Sequence, residues 1–261
     1  MQKTASAFAT VTFAVGLGAS AVFAQSTGPV QAPSATLPSP SAQLAFPGTF
    51  GVPSAVAPRS GSAFVGATYA TPRGGVSGAG GDGDLVAGYS IGNPLDAVSL
   101  TIGLALTGTN PLGDAGAFSL TASRLLQAGG NTATFFGVSA SNLLPWGVNA
   151  RRSEQYSGYV SHLVGVKAGS VEIPLQFVLG YGTDNTRDSA GAGLLSDGVF
   201  AGFGIGVSEN TSVSVSATRT QVNVGMSYAL PRTGLSATFG VMDATDNTDR
   251  QQVSFSVGYG F

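Results

Sequence analysis

The sequence contains no cysteine, only 9% charged residues and no long apolar run beyond its first two dozen residues. Without cysteine, no disulfide framework can hold an exported fold together. Soluble domains carry about 25% charged residues, so this chain has little charge for a protein surrounded by water. Yet 43% of its residues are hydrophobic. Because a spanning helix needs about 20 mainly apolar residues in succession, we expect the apolar residues to be distributed along strands.

The charge balance and the absence of chemical motifs exclude several classes of function. The formal net charge is −2, which is too small to attract nucleic acid. Gly-x-Gly pairs are frequent, but the helix that would give them a phosphate-binding role does not follow. No metal-ligand cluster with a recognisable spacing is present. We therefore predict no nucleic-acid partner, no cofactor and no bound metal.

Residues 1–24 have the three-part organisation of a secretory signal peptide. Lys3 supplies the positive charge, residues 5–19 supply an apolar core rich in small residues, and the stretch ending at Ala24 supplies a cleavage site. No cysteine follows that site, so a lipoprotein anchor is not expected. The sequence predicts that the chain is exported and that its mature part begins at Gln25.

Residues 25–61 differ in composition from everything that follows. They contain seven of the 13 prolines, mixed with Ala, Ser and Gln. This density of proline disfavours both helices and sheet ladders and favours an extended, disordered chain. We predict a periplasmic linker, with a plug that enters the barrel as the alternative.

From residue 62 to residue 261, apolar and small residues alternate in short segments. In residues 98–107, VSLTIGLALT, every second side chain is apolar. Neighbouring side chains of a strand point to opposite faces, so such a segment has one apolar face and one small, polar face. Most segments approach the about 9–11 residues of a tilted membrane strand. Twelve strands are predicted, near 62–70, 84–93, 98–109, 116–127, 132–142, 154–166, 171–182, 198–208, 211–219, 221–229, 235–243 and 251–261.

The predicted connections alternate in length. They are short after every even-numbered strand and longer after the first, third, fifth, seventh and eleventh strands. Short turns at one end and long loops at the other are typical of barrels in bacterial outer membranes, whose chain ends lie on the short-turn side. The sequence therefore predicts an all-β protein with a single antiparallel transmembrane β-barrel of about 12 strands. A signal peptide and a proline-rich disordered segment precede it.

Residues 211–230 could form either one long strand or a hairpin. The apolar positions are odd-numbered up to Ala217 and even-numbered from Val222. Such a change of phase requires a bulge or a tight turn. We predict a hairpin that turns at Arg219 and Thr220, which keeps the strand number even.

The closing sequence QQVSFSVGYGF resembles the C-terminal strand of Gram-negative outer-membrane β-barrels, including the porin-like proteins. The resemblance implies residence in the outer membrane, with its lipid and lipopolysaccharide as neighbours. It also implies that the barrel-assembly machinery reads this strand. The positions that match the alternating assembly signal are Phe255, Val257, Tyr259 and Phe261.

The predicted inner face consists almost entirely of Gly, Ser and Thr. Because barrels of eight strands are filled by side chains and those of about 16–18 strands leave a channel, twelve strands with small residues inside should leave space. This pattern favours a passive, porin-like channel for small solutes, and not an enzyme. A closed barrel with a structural or surface-contact role is the alternative. A membrane-embedded hydrolase that uses His162 is a more remote one.

Four residues outside the closing strand are candidates for a role in the pore or its loops. Trp146, Arg151 and Arg152 occur together in NLLPWGVNARR. This loop could narrow a pore or contact lipopolysaccharide phosphates, or Trp146 could simply anchor in the membrane interface. Glu172 is predicted at the inner face near the periplasmic mouth. The acidic loops 183–188 and 243–249 lack calcium-loop spacing and are expected to be solvated.

Overall fold

The computed structural model describes residues 47–58, 60–72, 81–109, 112–147, 154–169, 171–187 and 195–261. Within these ranges the chain forms twelve strands, each antiparallel to its neighbours, in a closed barrel. The predicted fold class is confirmed. The strands are β1 (Ala63–Ala70), β2 (Asp82–Gly92), β3 (Ser99–Thr109), β4 (Leu112–Gly129), β5 (Thr132–Trp146), β6 (Gln155–Ala168), β7 (Val171–Arg187), β8 (Leu195–Gly206), β9 (Thr211–Ala217), β10 (Val222–Ala229), β11 (Leu235–Met242) and β12 (Gln252–Gly260).

The barrel closes where the first strand meets the last. β1 pairs with β2 on one side and with β12 on the other. At the end of this seam, the Ala63 amide donates to the Phe261 carbonyl at 2.8 Å and the Phe261 amide donates to the Ala63 carbonyl at 2.9 Å. Every described strand therefore has two hydrogen-bonded neighbours, which is the condition for placing a sheet in a bilayer.

The outer face of the barrel is apolar, as the alternation predicts. On β10, Val224 and Met226 are about half exposed, whereas the alternate residues Asn223 and Gly225 are buried. The same alternation separates exposed Phe255 from buried Ser254 and Ser256 on β12. The large exposed side chains include Tyr89, Ile102, Phe118, Phe136, Phe177, Leu179, Tyr181, Val199, Val215, Met226, Phe239 and Phe255.

The predicted hairpin within residues 211–230 is confirmed. β9 ends at Ala217, β10 begins at Val222, and these two residues face each other in the antiparallel register. The Thr218 amide donates to the Gln221 carbonyl at 2.9 Å across the turn. The change of phase at Arg219 and Thr220 therefore marks the turn that makes the strand number even.

The strands from β4 to β7 are longer than the sequence predicts, with 18, 15, 14 and 17 residues. β4 begins at Leu112 instead of residue 116, so only two residues separate it from β3 and the predicted long loop there is wrong. β4 and β5 stay paired across three register shifts, helped by positive φ angles at Asn142 and Leu144. Bulges extend a ladder through residues that an alternation rule assigns to loops.

Pro174 and Arg124 occupy strand positions that normally disfavour a proline or a charged residue. A proline in a strand favours a bulge or a strand start, but Pro174 lies inside β7 opposite Gly165 with no register shift. The Gly165 amide donates to the Asn131 carbonyl, away from β7, so the proline nitrogen faces β8, whose ladder with β7 starts one residue later at Leu175. Arg124 lies exposed on the outer face, immediately before a register shift, so its guanidinium can extend towards water.

In the part of the chain that is described, no helix has the length and apolar character required to cross a bilayer.

A cation on the apolar outer face should destabilise the barrel far more than the same cation on the inner face. Met226→Lys should lower the free energy of unfolding by about 2–4 kcal/mol if Met226 lies near the bilayer midplane. Its neighbour Ser227 faces inward and bonds Thr238. Ser227→Lys should therefore cost about 1 kcal/mol or less, the value of that hydrogen bond. Urea unfolding in lipid vesicles measures both. Equal losses would contradict the assignment of the two faces.

Candidate functional site

Residues 47–58, which we call the lumen segment, lie inside the barrel. Their contacts fall on inward positions of seven successive strands, from β5 to β11. Ser54 and Ala55 meet Ser161 of β6, whereas Phe50 meets Ser214 of β9. The large side chains on the opposite face of these strands are exposed. A single segment can contact seven neighbouring strands of a closed barrel on their buried face only from within.

A tight turn forms the part of the lumen segment that lies against β9 and β10. The Val52 amide donates to the Thr49 carbonyl at 3.4 Å, and Gly51, the third residue of the turn, has a φ of +86°. This position favours glycine in a type II turn. The turn is fixed at Phe50, whose amide donates to Ser214 Oγ at 3.1 Å and whose carbonyl accepts from Ser216 Oγ at 2.5 Å.

Glycines of the wall make room for this turn. A Cβ atom on Gly225 of β10 or on Gly240 of β11 would collide with the Phe50 side chain. A Cβ on Gly202 of β8 would lie 2.7 Å from Val52 and 3.0 Å from Thr49. From the sequence, the inward glycines either make space for a pore or serve strand curvature and close backbone approach. At these positions the reason is close approach to the lumen segment.

An apolar cluster fills the other side of the lumen, along β5 to β8. Its buried members are Val52, Ala55 and Val56 of the lumen segment with Phe135, Tyr159, Leu163, Val178 and Phe200 of the wall. The expectation of an inner face made almost wholly of Gly, Ser and Thr is therefore wrong here. Adjacent large residues, such as Phe135 beside Phe136 and Val199 beside Phe200, are the sequence signal. They show that both faces of these strands are apolar.

Polar contacts hold the middle of the lumen segment against β6 and β7. Ser161 Oγ accepts from the Ala55 amide at 2.8 Å and lies 3.3 Å from Ser54 Oγ. Gln176 Nε2 donates to Ser54 Oγ at 2.5 Å. Ser161 and Gln176 are both almost fully buried, so the lumen segment satisfies wall groups that have lost access to water.

The wall formed by β1 to β4 and β10 to β12 carries hydroxyl groups that bond one another across strands. The pairs are Thr68 with Ser256 at 3.0 Å, Ser90 with Thr101 at 2.8 Å and Ser227 with Thr238 at 2.9 Å. Phe64, Val86 and Ala105 form a small apolar cluster among them. At the edge of this wall, Leu125 of β4 packs against the apolar cluster that contains Val52, Ala55 and Val56. The lumen segment thus packs against one side of the lumen, whereas hydroxyl groups and the cluster around Phe64 line the other side.

The four residues of the proposed assembly signal lie on the outside of the barrel. Phe255, Val257, Tyr259 and Phe261 are all exposed, and the rings of Tyr259 and Phe261 stack with centroids 5.5 Å apart. These side chains form one continuous outward stripe at the closing seam. Their role in assembly remains a prediction.

Trp146 lies on the outer face. Its ring covers Gly116 and packs against Phe118, with centroids 5.8 Å apart. Arg151 and Arg152, which were predicted to act with Trp146, lie outside the described residues. The position of Trp146 suits an anchor in the membrane interface.

Glu172 lies at the mouth of the lumen near the short turns, opposite Lys167 in the β6–β7 register. Its carboxylate covers Gly165, where a Cβ would collide with it. Asp84 also faces the lumen, because it is paired with Thr68, whose hydroxyl bonds the buried Ser256. Glu172 alone was predicted at the inner face, and Asp84 was missed because it precedes the first clear alternation of β2.

His162 lies on the outer side of the wall. It sits opposite Thr134 and the exposed Phe177 in the two registers, and its Nδ1 is 2.8 Å from Thr134 Oγ1. Ser161, the neighbouring hydroxyl, faces the lumen and is bonded to the lumen segment. The two groups needed for a serine–histidine pair therefore lie on opposite faces of one strand.

In the acidic loop 243–249, the carboxylate of the first residue, Asp243, accepts hydrogen bonds from within the loop. Asp243 is fully buried and accepts hydrogen bonds from the Asn247 amide and from both the amide and hydroxyl of Thr248. Across the described ranges, no three His, Cys, Asp or Glu side chains come together as metal ligands. The prediction of an acidic loop at 183–188 is wrong for residues 183–187, which belong to β7, and Asn185 Nδ2 donates there to the Gly198 carbonyl of β8.

The closed ring of twelve antiparallel strands and its apolar outer surface define the class of protein. A sheet without edges and with an outward apolar face is one of the two structures that can span a bilayer. An even strand number, with the start of the first strand and the end of the last strand on the short-turn side, is the arrangement found in bacteria. The chain therefore belongs to the structural class of outer-membrane β-barrels.

Comparison with known proteins finds similarity in fold. No family model matches the chain, and no curated protein matches it in sequence. Its fold is similar to that of the KdgM porin (11% identity, TM-score 0.47, 76% of this chain and 99% of that one). It is also similar to outer membrane protein Omp33 of Acinetobacter baumannii (8%, 0.49, 77% and 98%) and to an outer membrane channel from Pseudomonas putida F1 (10%, 0.49, 78% and 97%). These values describe the arrangement of strands alone.

A disulfide can test whether the lumen segment is seated as described. A Cβ on Gly137 would lie 3.1 Å from Ala55 Cβ, close to the about 3.5–4.5 Å that separates the Cβ atoms of a disulfide. The chain has no cysteine of its own. The double variant Ala55→Cys with Gly137→Cys should therefore oxidise to one internal bond, seen as a reductant-sensitive shift on a gel.

The matched control places the second cysteine on the outside of the same wall. Gly158 faces outward opposite exposed Val138, and a Cβ atom added at Gly158 would have no neighbour within 4 Å. Ala55→Cys with Gly158→Cys should not form an internal bond. Efficient internal cross-linking of both pairs, or of neither, would show that the segment is not held inside the barrel.

Proposed function

We propose that this protein is an outer-membrane channel for small solutes whose lumen is narrowed by residues 47–58. The observation that carries the proposal is the unequal lining of the lumen. The lumen segment packs against β5 to β11, whereas β12 and β1 to β3 present paired hydroxyls and the small apolar cluster around Phe64. A solute path along the hydroxyl-lined side would be narrow, since its hydroxyl groups bond one another and Ser90 and Ser256 are almost fully buried.

The charges that face the lumen support weak selectivity. Among the strand side chains described, the lumen-facing charged ones are Asp84, Lys167 and Glu172. Lys167 and Glu172 lie opposite each other at the short-turn end, so their charges offset one another. A pore that strongly selects ions carries rings or ladders of one charge. We therefore propose small, uncharged or weakly charged solutes as the cargo.

The proposal includes the route by which the chain reaches the membrane. Residues 1–24 would direct export and be removed, and the outward stripe that ends at Phe261 would be read by the barrel-assembly machinery. In the membrane, the apolar belt would contact lipid, and Arg151 and Arg152 would bind lipopolysaccharide phosphates. We propose no enzymatic role, since His162 and Ser161 face opposite sides of the wall.

A closed barrel with a structural or surface-contact role is the second candidate. The observation that favours it is the seated lumen segment, because a well-packed apolar cluster inside the barrel lowers the space left for solutes. The two candidates differ in a single measurable property, the passage of ions and small solutes through the folded barrel.

Planar-bilayer conductance of the refolded mature chain tests the channel. We expect small, ohmic steps with weak ion selectivity. Replacing residues 47–57 by a Gly-Ser linker of equal length should raise the step size several-fold, because it removes the material that narrows the lumen. Folding is checked by the heat-dependent shift of barrels on a gel. Folded protein that passes no current in either form would refute the channel and leave the closed barrel.

The proposed assembly signal can be tested separately from conductance. Phe261 is two-thirds exposed, so Phe261→Ala removes little buried surface. Assembly into proteoliposomes that contain the barrel-assembly machinery should slow several-fold, while spontaneous folding in detergent should be unchanged. Val65→Ala, which removes an exposed side chain from the other strand of the seam, is the control. Unchanged assisted assembly of the Phe261 variant would remove the proposed role.

A further inference from the structure

A chain of buried hydrogen bonds connects the lumen segment to the loop between β11 and β12. Ser216 Oγ donates to the Phe50 carbonyl at 2.5 Å. Asn223 Nδ2 donates to Ser216 Oγ at 3.2 Å. Asn223 Oδ1 in turn accepts from the Asp243 amide at 3.1 Å. Three bonds thus lead from a residue inside the barrel to the first residue of an external loop.

At the loop, this series of hydrogen bonds ends at Asp243, which is fully buried. A buried carboxylate must be paired with donors, and here the donors are the Asn247 amide and the amide and hydroxyl of Thr248. Gln221 Nε2 also donates to Thr248 Oγ1 at 3.2 Å. The Ala244 amide donates to the Val222 carbonyl at 2.7 Å, which joins the loop to the start of β10.

Asn223 connects the loop to the lumen segment through two hydrogen bonds. Its carbonyl oxygen serves the loop and its NH₂ group serves Ser216, so both ends of one planar amide are used. Only 5% of its surface is exposed. It also lies against Gly51, where a Cβ would be 2.5 Å from Asn223 Nδ2. A side chain that only donates or only accepts cannot make both connections.

We propose that Asn223 is a positioning residue that makes the β11–β12 loop and the lumen segment move as one unit. In this arrangement, displacement of the loop from outside removes the support of Ser216 and loosens the turn around Phe50. The consequence for conductance rests on the proposed channel function. The mechanical link itself does not, since it consists of hydrogen bonds between the described residues.

Cysteine labelling measures the link without reference to conductance. Val52 has only 2% of its surface exposed, so a single cysteine at this position reacts with a water-soluble maleimide only when the lumen segment leaves its seat. Cysteine is small and apolar enough to replace valine there. In the folded full mature chain carrying Val52→Cys, Asn223→Ala should raise the labelling rate about tenfold or more, because buried partners lose their bonds.

Two further variants separate the link from a general loss of stability. Ser227→Ala removes a hydrogen bond of similar length between β10 and β11 that joins wall residues only, and it should leave the labelling rate unchanged. Thr248→Val removes the hydroxyl contact with Asp243 from the loop side without touching the lumen segment. Like Asn223→Ala, it should raise the labelling rate of the cysteine at position 52.

The outcomes distinguish this proposal from the proposed function. Faster labelling in Asn223→Ala and Thr248→Val, but not in Ser227→Ala, supports the link even if the barrel passes no current. Equal labelling in all variants overturns it even if the barrel conducts. Should Asn223→Ala fail to fold, the labelling rate of Thr248→Val decides. In a conducting barrel, the two link variants should also show noisier current with more frequent large openings.

Discussion

Closure of the backbone ladder between β1 and β12 is the constraint on which the rest of the structure depends. In a bilayer, each unpaired peptide group costs several kcal/mol, so a sheet of this kind is stable only when its first and last strands meet. The seam from Ala63 to Phe261 satisfies this condition. Once the ring is closed, alternation assigns every side chain to lipid or to lumen. The even strand number then places the start of β1 and the end of β12 on the side of the short turns.

The closed ring leaves an interior that twelve strands cannot fill with glycine and serine alone. The protein fills part of it with its own chain. Glycines on β8, β10 and β11 admit the turn around Phe50, and large residues on β5 to β8 pack against Val52 and Ala55. The inward glycines and the large inward residues therefore have the same role, since both make contact with residues 47–58 possible. The hydroxyl pairs on β1 to β3 and on β10 to β12 form the remaining wall.

The fold could be predicted in detail because its signal is local. The phase change between Ala217 and Val222 identified a turn, and the alternation of β12 identified its outward stripe. Strand ends were less predictable, since β4 and β5 continue through bulges at residues that disfavour strands. Within the candidate site, Glu172 was expected at the inner face. Asn223, Ser216 and Phe135 were missed, because the residues next to them in the sequence do not indicate that their partners lie in residues 47–58.

The sequence by itself determined the period-two pattern, an even number of about twelve strands and the face on which most strand side chains lie. These properties follow from neighbours one or two positions apart, where a strand leaves a side chain only two directions. Only the tertiary structure decided what occupies the lumen. Phe50 and Ser216 are 166 positions apart, and no local pattern connects residues at such a separation. Composition made residues 25–61 look like a linker, whereas the seat that holds residues 47–58 exists only after the strands have closed around them.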